Sequence, residues 1–253
     1  LIFFKSNPSH LIDLIDRYQN ISKIPLSNSI DGEWGAAMRI DSIQPFPLAM
    51  SLGAIQNDSL IYEMGIQIAC ELKSLGIHIN FAPVLDINNN INNPIIGMRS
   101  FSESREIVFQ KSIAYMLGLQ DNNILASGKH FPGHGDTEID SHNQLPIILH
   151  DQKRLDSIEL YPFKKLINVG IGSIMVAHIS LPNIDSETNV PATFSDFIIK
   201  EILKNKLGFE GLVITDALNM KGAYSEKLKP GEIEFNAFMA GNDILLYPDN
   251  ISE

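Results

Sequence analysis

Short apolar runs alternate with stretches of helical periodicity along the whole chain. Seven runs are typical of β-strands in their apolar content and in the turn-forming residues at their ends. They are LIFFK from Leu1, PLSNSID ending at Asp31, IHINFAPVLD ending at Asp86, ILASGKHF ending at Phe131, GSIMVAHI ending at Ile179, GLVITD ending at Asp216 and DILLYPD ending at Asp249.

The segments between these runs carry apolar residues at helical spacing. Ser9 stands where it can cap a helix over SHLIDLIDRYQN, and Ser195 stands likewise before DFIIKEILKNKL. Two further helices are expected over ESREIVFQKSIAYMLGLQ and around residues 155–167. The longest pattern puts five residues on one helical face: Leu60, Ile61, Met64, Ile68 and Leu72.

This order of elements defines the expected fold. Strands that alternate with helices imply an α/β protein with a parallel sheet, and seven visible units with a strand-like start predict a (β/α)8 TIM-type barrel. We expect one domain over residues 1–253, truncated at both ends, without the first strand and the closing helix of the barrel. An open doubly wound sheet is the alternative, but it needs a Gly-rich nucleotide-binding turn, and the sequence has neither that spacing nor a P-loop.

Composition narrows the class of protein. A formal net charge of −11 over 253 residues disfavours binding to nucleic acid and to anionic membranes. No apolar run reaches the roughly 20 residues that span a bilayer. Cys70, the single cysteine, falls in an apolar helical pattern and is expected to be a buried, inert thiol. Because the chain starts at Leu1 within a strand-like run, we expect upstream sequence, and the compartment stays undecided.

The stretch KHFPGHGDTEIDSH, from Lys129 to His142, concentrates ionisable groups on one loop. In its DSH triplet, Asp140 can hold one ring nitrogen of His142 and leave the other free to exchange a proton near neutral pH. A bound metal is the alternative use of this loop, but the spacings match no zinc or calcium motif, so we predict neither a metal nor a cofactor. The candidate ligands are His130, His134, Asp136, Asp140 and His142.

Carboxylates and cations stand at the ends of the predicted strands, which form the active-site face of a barrel. Asp216 closes the run GLVITD and is either a functional carboxylate or a cap of the next turn. Arg39, Arg99 and Lys129 can bind a hydroxyl-rich ligand by charge-assisted hydrogen bonds, with structural ion pairs as the alternative. The indole of Trp34 can stack on a sugar ring or pack beneath a loop. The strand ends also carry Asp31, Asp86, His130 and His178.

Five motifs together resemble a known family. They are NFAPVLDIN from Asn80, GMRSFS from Gly97, KHFPGHGDT with DSH from Lys129, MVAHI from Met175 and VITDALNMKG from Val213. In this order, over nearly the whole chain, they are similar to the catalytic barrel of glycoside hydrolase family 3, in its NagZ-type β-N-acetylglucosaminidase branch. The resemblance implies a bacterial enzyme that removes terminal β-linked N-acetylglucosamine with retention, from peptidoglycan-derived muropeptides in cell-wall recycling.

The resemblance also implies a role for each site residue. Asp216 would be the nucleophile that forms a glycosyl-enzyme, and His142 the general acid/base, oriented by Asp140. Most retaining glycosidases pair two carboxylates, so a histidine in this role departs from the rule. Gly133 and Gly135 would be hinges that let the loop carry the dyad over the substrate. The substrate-binding residues would be Asp31, Arg39, Arg99, Lys129, His130 and His178.

Two other interpretations stay open. The first keeps the fold and changes the activity to that of a β-glucosidase, a β-xylosidase or a phosphorylase, since a neutral histidine repels an incoming phosphate less than a carboxylate would. The second is a catalytically silent sugar-binding barrel, against which the presence of Asp216, Asp140 and His142 argues. The sequence DGEWG from Asp31 departs from the D-x-E-G-G turn of many relatives, which leaves the subsite beside the sugar in doubt.

Overall fold

Six parallel strands form one sheet, and their order across the sheet is their order along the chain. The computed structural model describes residues 1–185, 189–223, 229 and 231–249. Each connection between strands crosses back over the sheet, which confirms the α/β class expected from the alternation of elements. The strands are β1 (Ile2–Phe3), β2 (Ser29–Ile30), β3 (Ile79–Asn80), β4 (Leu125–Phe131), β5 (Ser173–Val176) and β6 (Leu212–Thr215).

The run DILLYPD, predicted as a seventh strand, does not form one. It makes a single parallel bridge, from Ile244 to Ile214 in β6, and is otherwise irregular up to residue 249. The two edges of the sheet nevertheless approach each other, as shown by the rings of Phe4, beyond β1, and Tyr247, beyond β6, whose centroids are 5.4 Å apart. The described strands therefore make a curled half-barrel.

Helices cover the outer face of this sheet and bury its main apolar core. A smaller cluster fills the concave face, where Ile79, Phe81, Met175, Ile214 and Leu246 pack together. None of the helices in the described part of the chain has the length and apolar character needed to cross a membrane. The helices are α1 (Pro8–Ile21), α2 (Ala49–Gly53), α3 (Ser59–Ser74), α4 (Arg105–Gln120), α5 (Gln152–Ser157), α6 (Leu160–Val169), α7 (Glu232–Ala240) and a π-helix (Phe197–Lys206).

The helix caps agree only in part with the sequence-based expectations. The cap of α1 is Asn7, whose side chain accepts a hydrogen bond of 3.0 Å from the backbone N–H of His10, so the prediction of Ser9 is wrong. Pro8 occupies the first helical position, where a missing N–H costs nothing, and the cap therefore lies two residues before the predicted one. Ser195 does cap the π-helix, because its Oγ accepts a 3.0 Å hydrogen bond from the N–H of Ile198.

One face of α3 is buried as its apolar spacing predicts, with two corrections. Ile61, Met64, Ile68 and Leu72 are buried, whereas Leu60 is 51% exposed. Cys70 is exposed, so the expectation of a buried thiol is wrong. Residue 70 lies two positions, about 200° around the helix, from both Ile68 and Leu72, and it therefore faces away from the core.

Candidate active site

A cavity of about 310 Å³ opens at the carboxyl ends of the strands. Asp31 follows β2, Lys129 and His130 lie near the end of β4, and Asp216 follows β6. Since the carboxyl ends of parallel strands meet at one edge, the fold gathers residues that are far apart in sequence. Seven of the nine predicted site residues line this cavity: Asp31, Arg39, Arg99, Lys129, His130, His142 and Asp216.

Lys129 is buried at the floor of this cavity between two carboxylates. Its ammonium lies 2.9 Å from Asp31 Oδ1 and 2.8 Å from Glu33 Oε1. Burial alone would lower the pKa of Lys129, but the two carboxylates outweigh that effect and raise the pKa above its ordinary value. The amine is therefore a fixed cation that can donate hydrogen bonds but cannot act as a base.

Glu33 is a site residue that the sequence analysis did not assign. Its two oxygens accept hydrogen bonds from the guanidinium of Arg99, at 2.7 Å and 3.0 Å. Burial would raise the pKa of Glu33, but Lys129 and Arg99 hold it well below its ordinary value. Glu33 stands two residues after Asp31 in the DGEWG turn, and this proximity is the signal that could have identified it.

Arg39 and Arg99 combine the two roles that the sequence left open. Arg39 Nη2 lies 3.0 Å from Asp31 Oδ2, and the guanidinium of Arg99 donates the two hydrogen bonds to Glu33 described above. Both arginines also line the cavity, with side chains 29% and 24% exposed. They are therefore ion-paired and still accessible to a ligand, which is the arrangement expected of charge-assisted hydrogen-bond donors.

Asp86, at the end of the third predicted strand, organises the imidazole of His130. Asp86 Oδ2 lies 2.6 Å from His130 Nδ1, and Oδ1 accepts a 2.6 Å hydrogen bond from the N–H of His134. Burial would raise the pKa of Asp86, but these histidine contacts lower it. Arg99 Nη2 lies 3.3 Å from His130 Nε2, so the ring is held between the carboxylate of Asp86 and the guanidinium of Arg99.

Asp216 presents an ionised carboxylate to the cavity. Its Oδ1 accepts a 2.8 Å hydrogen bond from the N–H of Ala217, which fixes the orientation of the group. Burial would raise the pKa of Asp216, but His130, Lys129 and the Ala217 N–H are among the groups that hold it below its ordinary value. The group is therefore ionised at neutral pH and available to a ligand in the cavity.

Asp140 and His142 form the dyad that the DSH triplet predicts. Asp140 Oδ1 accepts hydrogen bonds from the backbone N–H of His142, at 2.8 Å, and from its ring Nδ1, at 2.9 Å. Burial opposes ionisation of Asp140, but the two bonds from His142 lower its pKa. Asp140 does not line the cavity itself; it holds the histidine from behind, and the side chain of His142 is 65% exposed.

The first half of this loop is tightly packed, whereas residues 136–142 alternate between buried and more exposed positions. Residues 129–135 are buried, and Asn93 Nδ2 donates to the carbonyl oxygens of His134 and Gly135 at 2.7 Å and 3.1 Å. A Cβ at Gly135 would collide with the carbonyl oxygen of Ile87, and one at Gly133 would lie 2.8 Å from Glu159 Cβ. Close packing therefore accounts for both glycines, and no hinge is needed to explain them.

The five metal ligands considered in the sequence are not brought together. Among the described residues, the one group of histidine and acidic ligand atoms within 4.8 Å of one another is Asp136, His150 and Glu159. The guanidinium of Arg154 lies 3.5 Å from Asp136 and 3.1 Å from Glu159, and His150 Nε2 lies 2.8 Å from Asp136 Oδ2. The group is therefore an ion-pair network that anchors the loop to helices α5 and α6.

His178 lies behind Asp216 and does not line the cavity, which corrects its expected place in the pocket wall. Its Nε2 is 3.0 Å from the carbonyl oxygen of Ala217 and its Nδ1 is 2.8 Å from Thr193 Oγ1. Burial lowers the pKa of His178, so the ring is neutral, donates from Nε2 and accepts at Nδ1. Trp34 is also outside the cavity wall, so its position does not support the sugar-stacking alternative.

These observations define a class: a parallel α/β domain whose strand ends hold carboxylates, cations and imidazoles around one polar cavity. The chain belongs to glycoside hydrolase family 3, because the model of the glycosyl hydrolase family 3 N terminal domain matches residues 8–253. The membership expected from the five motifs is confirmed.

Relatives of this family are similar over nearly the whole chain. Beta-hexosaminidase A of Pseudoalteromonas piscicida is 38% identical over 262 residues, covering 96% of this chain and 44% of the relative. A family 3 beta-N-acetylglucosaminidase from Paenibacillus sp. str. FPU-7 superposes with a TM-score of 0.88 and 39% identity, covering 97% of this chain and 48% of that one. NagZ from Neisseria gonorrhoeae, solved with N-trifluoroacetyl-D-glucosamine, superposes with a TM-score of 0.86 and 31% identity, covering 97% and 72%. The chain thus spans about half the length of the first two relatives.

Proposed function

We propose that this chain is the catalytic part of a retaining exo-β-N-acetylglucosaminidase that removes terminal β-linked N-acetylglucosamine. The observation that carries the proposal is that Asp216 and His142 line one cavity, with Asp140 bonded to the far side of the imidazole. An ionised carboxylate and a histidine that can exchange a proton are the two groups that a double displacement requires. The relatives named as beta-hexosaminidase and beta-N-acetylglucosaminidase support the same substrate class.

In the first step, a carboxylate oxygen of Asp216 bonds to the anomeric carbon as the glycosidic C–O bond breaks. The electron pair of that bond goes to the leaving oxygen, which takes a proton from Nε2 of His142. The lowered pKa of Asp216 supports this role, because the nucleophile needs no deprotonation. The second step reverses the proton transfer: neutral His142 takes a proton from water, whose oxygen displaces Asp216 and restores the original configuration.

Asp140 supports the proton exchange by fixing the tautomer of His142. The 2.9 Å contact between Asp140 Oδ1 and His142 Nδ1 keeps a proton on Nδ1 in both protonation states of the ring. The proton that comes and goes is therefore the one on Nε2.

The cation and carboxylate network on the cavity floor is the proposed sugar-binding set. Asp31 accepts from sugar hydroxyls, whereas Arg39, Arg99 and Lys129 donate to them. His130 completes the set, and His178 supports the backbone beside Asp216 rather than touching the sugar. We further propose muropeptides from cell-wall recycling as the natural substrate, a choice that the likeness to bacterial NagZ supports.

We also propose that residues 1–253 form one catalytic domain and that its curled sheet is part of a (β/α)8 barrel. The concave apolar cluster and the ring contact between Phe4 and Tyr247 support a closed form, because they bring the two ends of the sheet together. Inward-facing side chains that meet at the centre of a sheet are typical of such barrels.

The proposal is tested with paired p-nitrophenyl substrates. We expect rapid release from the β-N-acetylglucosaminide, slow release from the β-glucoside, and less than one hundredth of the activity in Asp216→Ala. Proton NMR of the product should give the β-anomer first. Equal rates on both substrates would favour a β-glucosidase, stimulation by phosphate with formation of a sugar phosphate would favour a phosphorylase, and sugar binding without release would favour a silent barrel.

A further inference from the structure

The backbone at Gly32 is held by a pair of side chains that do not line the cavity. Gly32 stands between Asp31 and Glu33, the two carboxylates that share Lys129. Its N–H donates to Asn80 Oδ1 at 2.9 Å, and its carbonyl oxygen accepts from Asn80 Nδ2 at 3.0 Å. One side-chain amide therefore pairs with both polar groups of a single residue.

Tyr115, on α4, completes this arrangement. Its hydroxyl lies 3.0 Å from the carbonyl oxygen of Gly32 and 3.2 Å from that of Glu33, and it accepts from Asn80 Nδ2 at 3.3 Å. The single hydroxyl proton is shared between the two carbonyls, and every donor of the Asn80 amide has a partner. Asn80 and Tyr115 are 0% and 1% exposed, so water does not compete for these bonds.

We propose that Asn80 and Tyr115 are positioning residues, which clamp the Gly32 backbone so that Asp31 and Glu33 both reach Lys129. The clamp is itself anchored, because Asn80 belongs to β3 and pairs with Ile30 of β2. Displacement of Glu33 would release Arg99 and Lys129, and through Arg99 it would reach His130. The inference rests on the proposed function, since the clamped groups are the ones proposed to bind the sugar.

A positioning role can be distinguished from a merely structural one by substitutions that preserve the packing of the side chains. Tyr115→Phe removes only the hydroxyl, and Asn80→Asp replaces the donor toward the Gly32 carbonyl with an acceptor. We expect KM for the p-nitrophenyl β-N-acetylglucosaminide to rise about fivefold in Tyr115→Phe and at least tenfold in Asn80→Asp. The value of kcat should change less than threefold, because the clamp does not touch Asp216 or His142.

Val108→Ala is the matched control, because Val108 is a buried residue of the same helix α4 whose apolar side chain makes no hydrogen bond to the Gly32 backbone. It should lower the unfolding temperature at least as much as Tyr115→Phe and leave KM unchanged. The double variant Asn80→Asp/Tyr115→Phe should raise KM no more than Asn80→Asp alone, because both changes act on the same peptide group.

An active wild-type protein with unchanged KM in both single variants would overturn the inference and leave the proposed function intact. A rise in KM that Val108→Ala reproduces would also overturn it. Binding of N-acetylglucosamine, measured by titration calorimetry, gives the second readout: weaker binding by both single variants supports the clamp. A wild-type protein that neither turns over the substrate nor binds the sugar would contradict the proposed function and the inference together.

Discussion

His134 is a buried residue of the loop that also lines the cavity, and its burial makes the stability of the protein depend on pH. Its ring is 1% exposed, with Nδ1 2.6 Å from Thr137 Oγ1 and Nε2 3.1 Å from Ser141 Oγ. Burial, together with the charge of His130, lowers the pKa of His134 from 6.5 to about 4. The folded state therefore holds a neutral ring between hydroxyl groups that suit it.

This shift predicts a loss of stability in mild acid. Between pH 6.5 and about 4, His134 binds a proton in the unfolded chain but stays neutral in the folded chain. The free energy of unfolding therefore falls as the pH falls. The loss approaches about 3 kcal/mol at the lower limit. His134→Gln should flatten the pH dependence of unfolding in urea across this range, and an unchanged slope would contradict the assignment.

The proton transfer proposed for His142 predicts a dependence on the leaving group. His142→Ala should lower kcat/KM by roughly a hundredfold or more for a disaccharide, whose leaving oxygen needs a proton. The loss should stay below about tenfold for a p-nitrophenyl glycoside, whose leaving group departs as a stable anion. Asp140→Asn, which keeps the shape of the dyad, serves as the graded control. An equal loss on both substrates in His142→Ala would exclude the acid role.

At the scale of residues, the sequence predicted the place of a site residue where that residue lies at or near the end of a strand. Asp31 and Asp216 close apolar runs and Lys129 lies near the end of one; parallel strands bring such ends to one edge, so their meeting could be predicted. Glu33 and Asn80 make their contacts with residues that are remote in the sequence, and no local sequence pattern predicts such contacts. His178 ends a run as well, but its ring turns behind Asp216, because the direction of a side chain depends on packing.

At the scale of elements, the loop that carries the dyad is fixed at its base by steric fit. Gly135 has no room for a Cβ against the carbonyl of Ile87, whereas Gly170 has nothing within 4 Å and only a positive φ of 96°. Gly135→Ala should cost about 3 kcal/mol of stability through overpacking. Gly170→Ala should cost only about 1 kcal/mol of backbone strain. Chemical denaturation of both variants checks the difference, and equal costs would contradict the packing account.

A second anchor joins the loop to α5 and α6 through ions. Glu159 is 3% exposed, and its Oε1 accepts from Arg154 at 3.1 Å and 3.2 Å and from Asn89 at 3.3 Å. Arg154→Ala should destabilise the protein by about 3 kcal/mol, because it leaves a buried carboxylate with weaker partners. Adding Glu159→Gln should recover part of that loss in urea denaturation. A double variant as unstable as the sum of both changes would contradict the network.

Element boundaries were less predictable than element types, for reasons visible in particular residues. The helix expected around 155–167 is two helices, α5 ending at Ser157 and α6 beginning at Leu160. The strand expected over DILLYPD makes only one bridge, although its apolar content equals that of its neighbours. A strand forms through partners on both sides as much as through its own residues, and the pattern of one run carries no information about its partners.

At the scale of the whole molecule, the negative net charge of the protein and the cations in its cavity have opposite effects on an anionic ligand. The formal net charge is −11, yet the cavity holds Arg39, Arg99 and Lys129 within a few ångströms of its carboxylates. Short-range cations act on a bound ligand, whereas the net charge acts on a ligand that is still approaching. The two effects differ in their response to salt, because the Debye length is about 30 Å at 10 mM and about 8 Å at 150 mM.

An anionic substrate should therefore react faster as the salt concentration rises. The repulsion between a protein of charge −11 and an anionic muropeptide is only weakly screened at low salt, so kcat/KM should increase roughly threefold per substrate charge between about 10 mM and 150 mM sodium chloride. The neutral p-nitrophenyl β-N-acetylglucosaminide is the matched control and should change little. A fall in kcat/KM for the anionic substrate would mean that the cations of the cavity, and not the net charge, govern its approach.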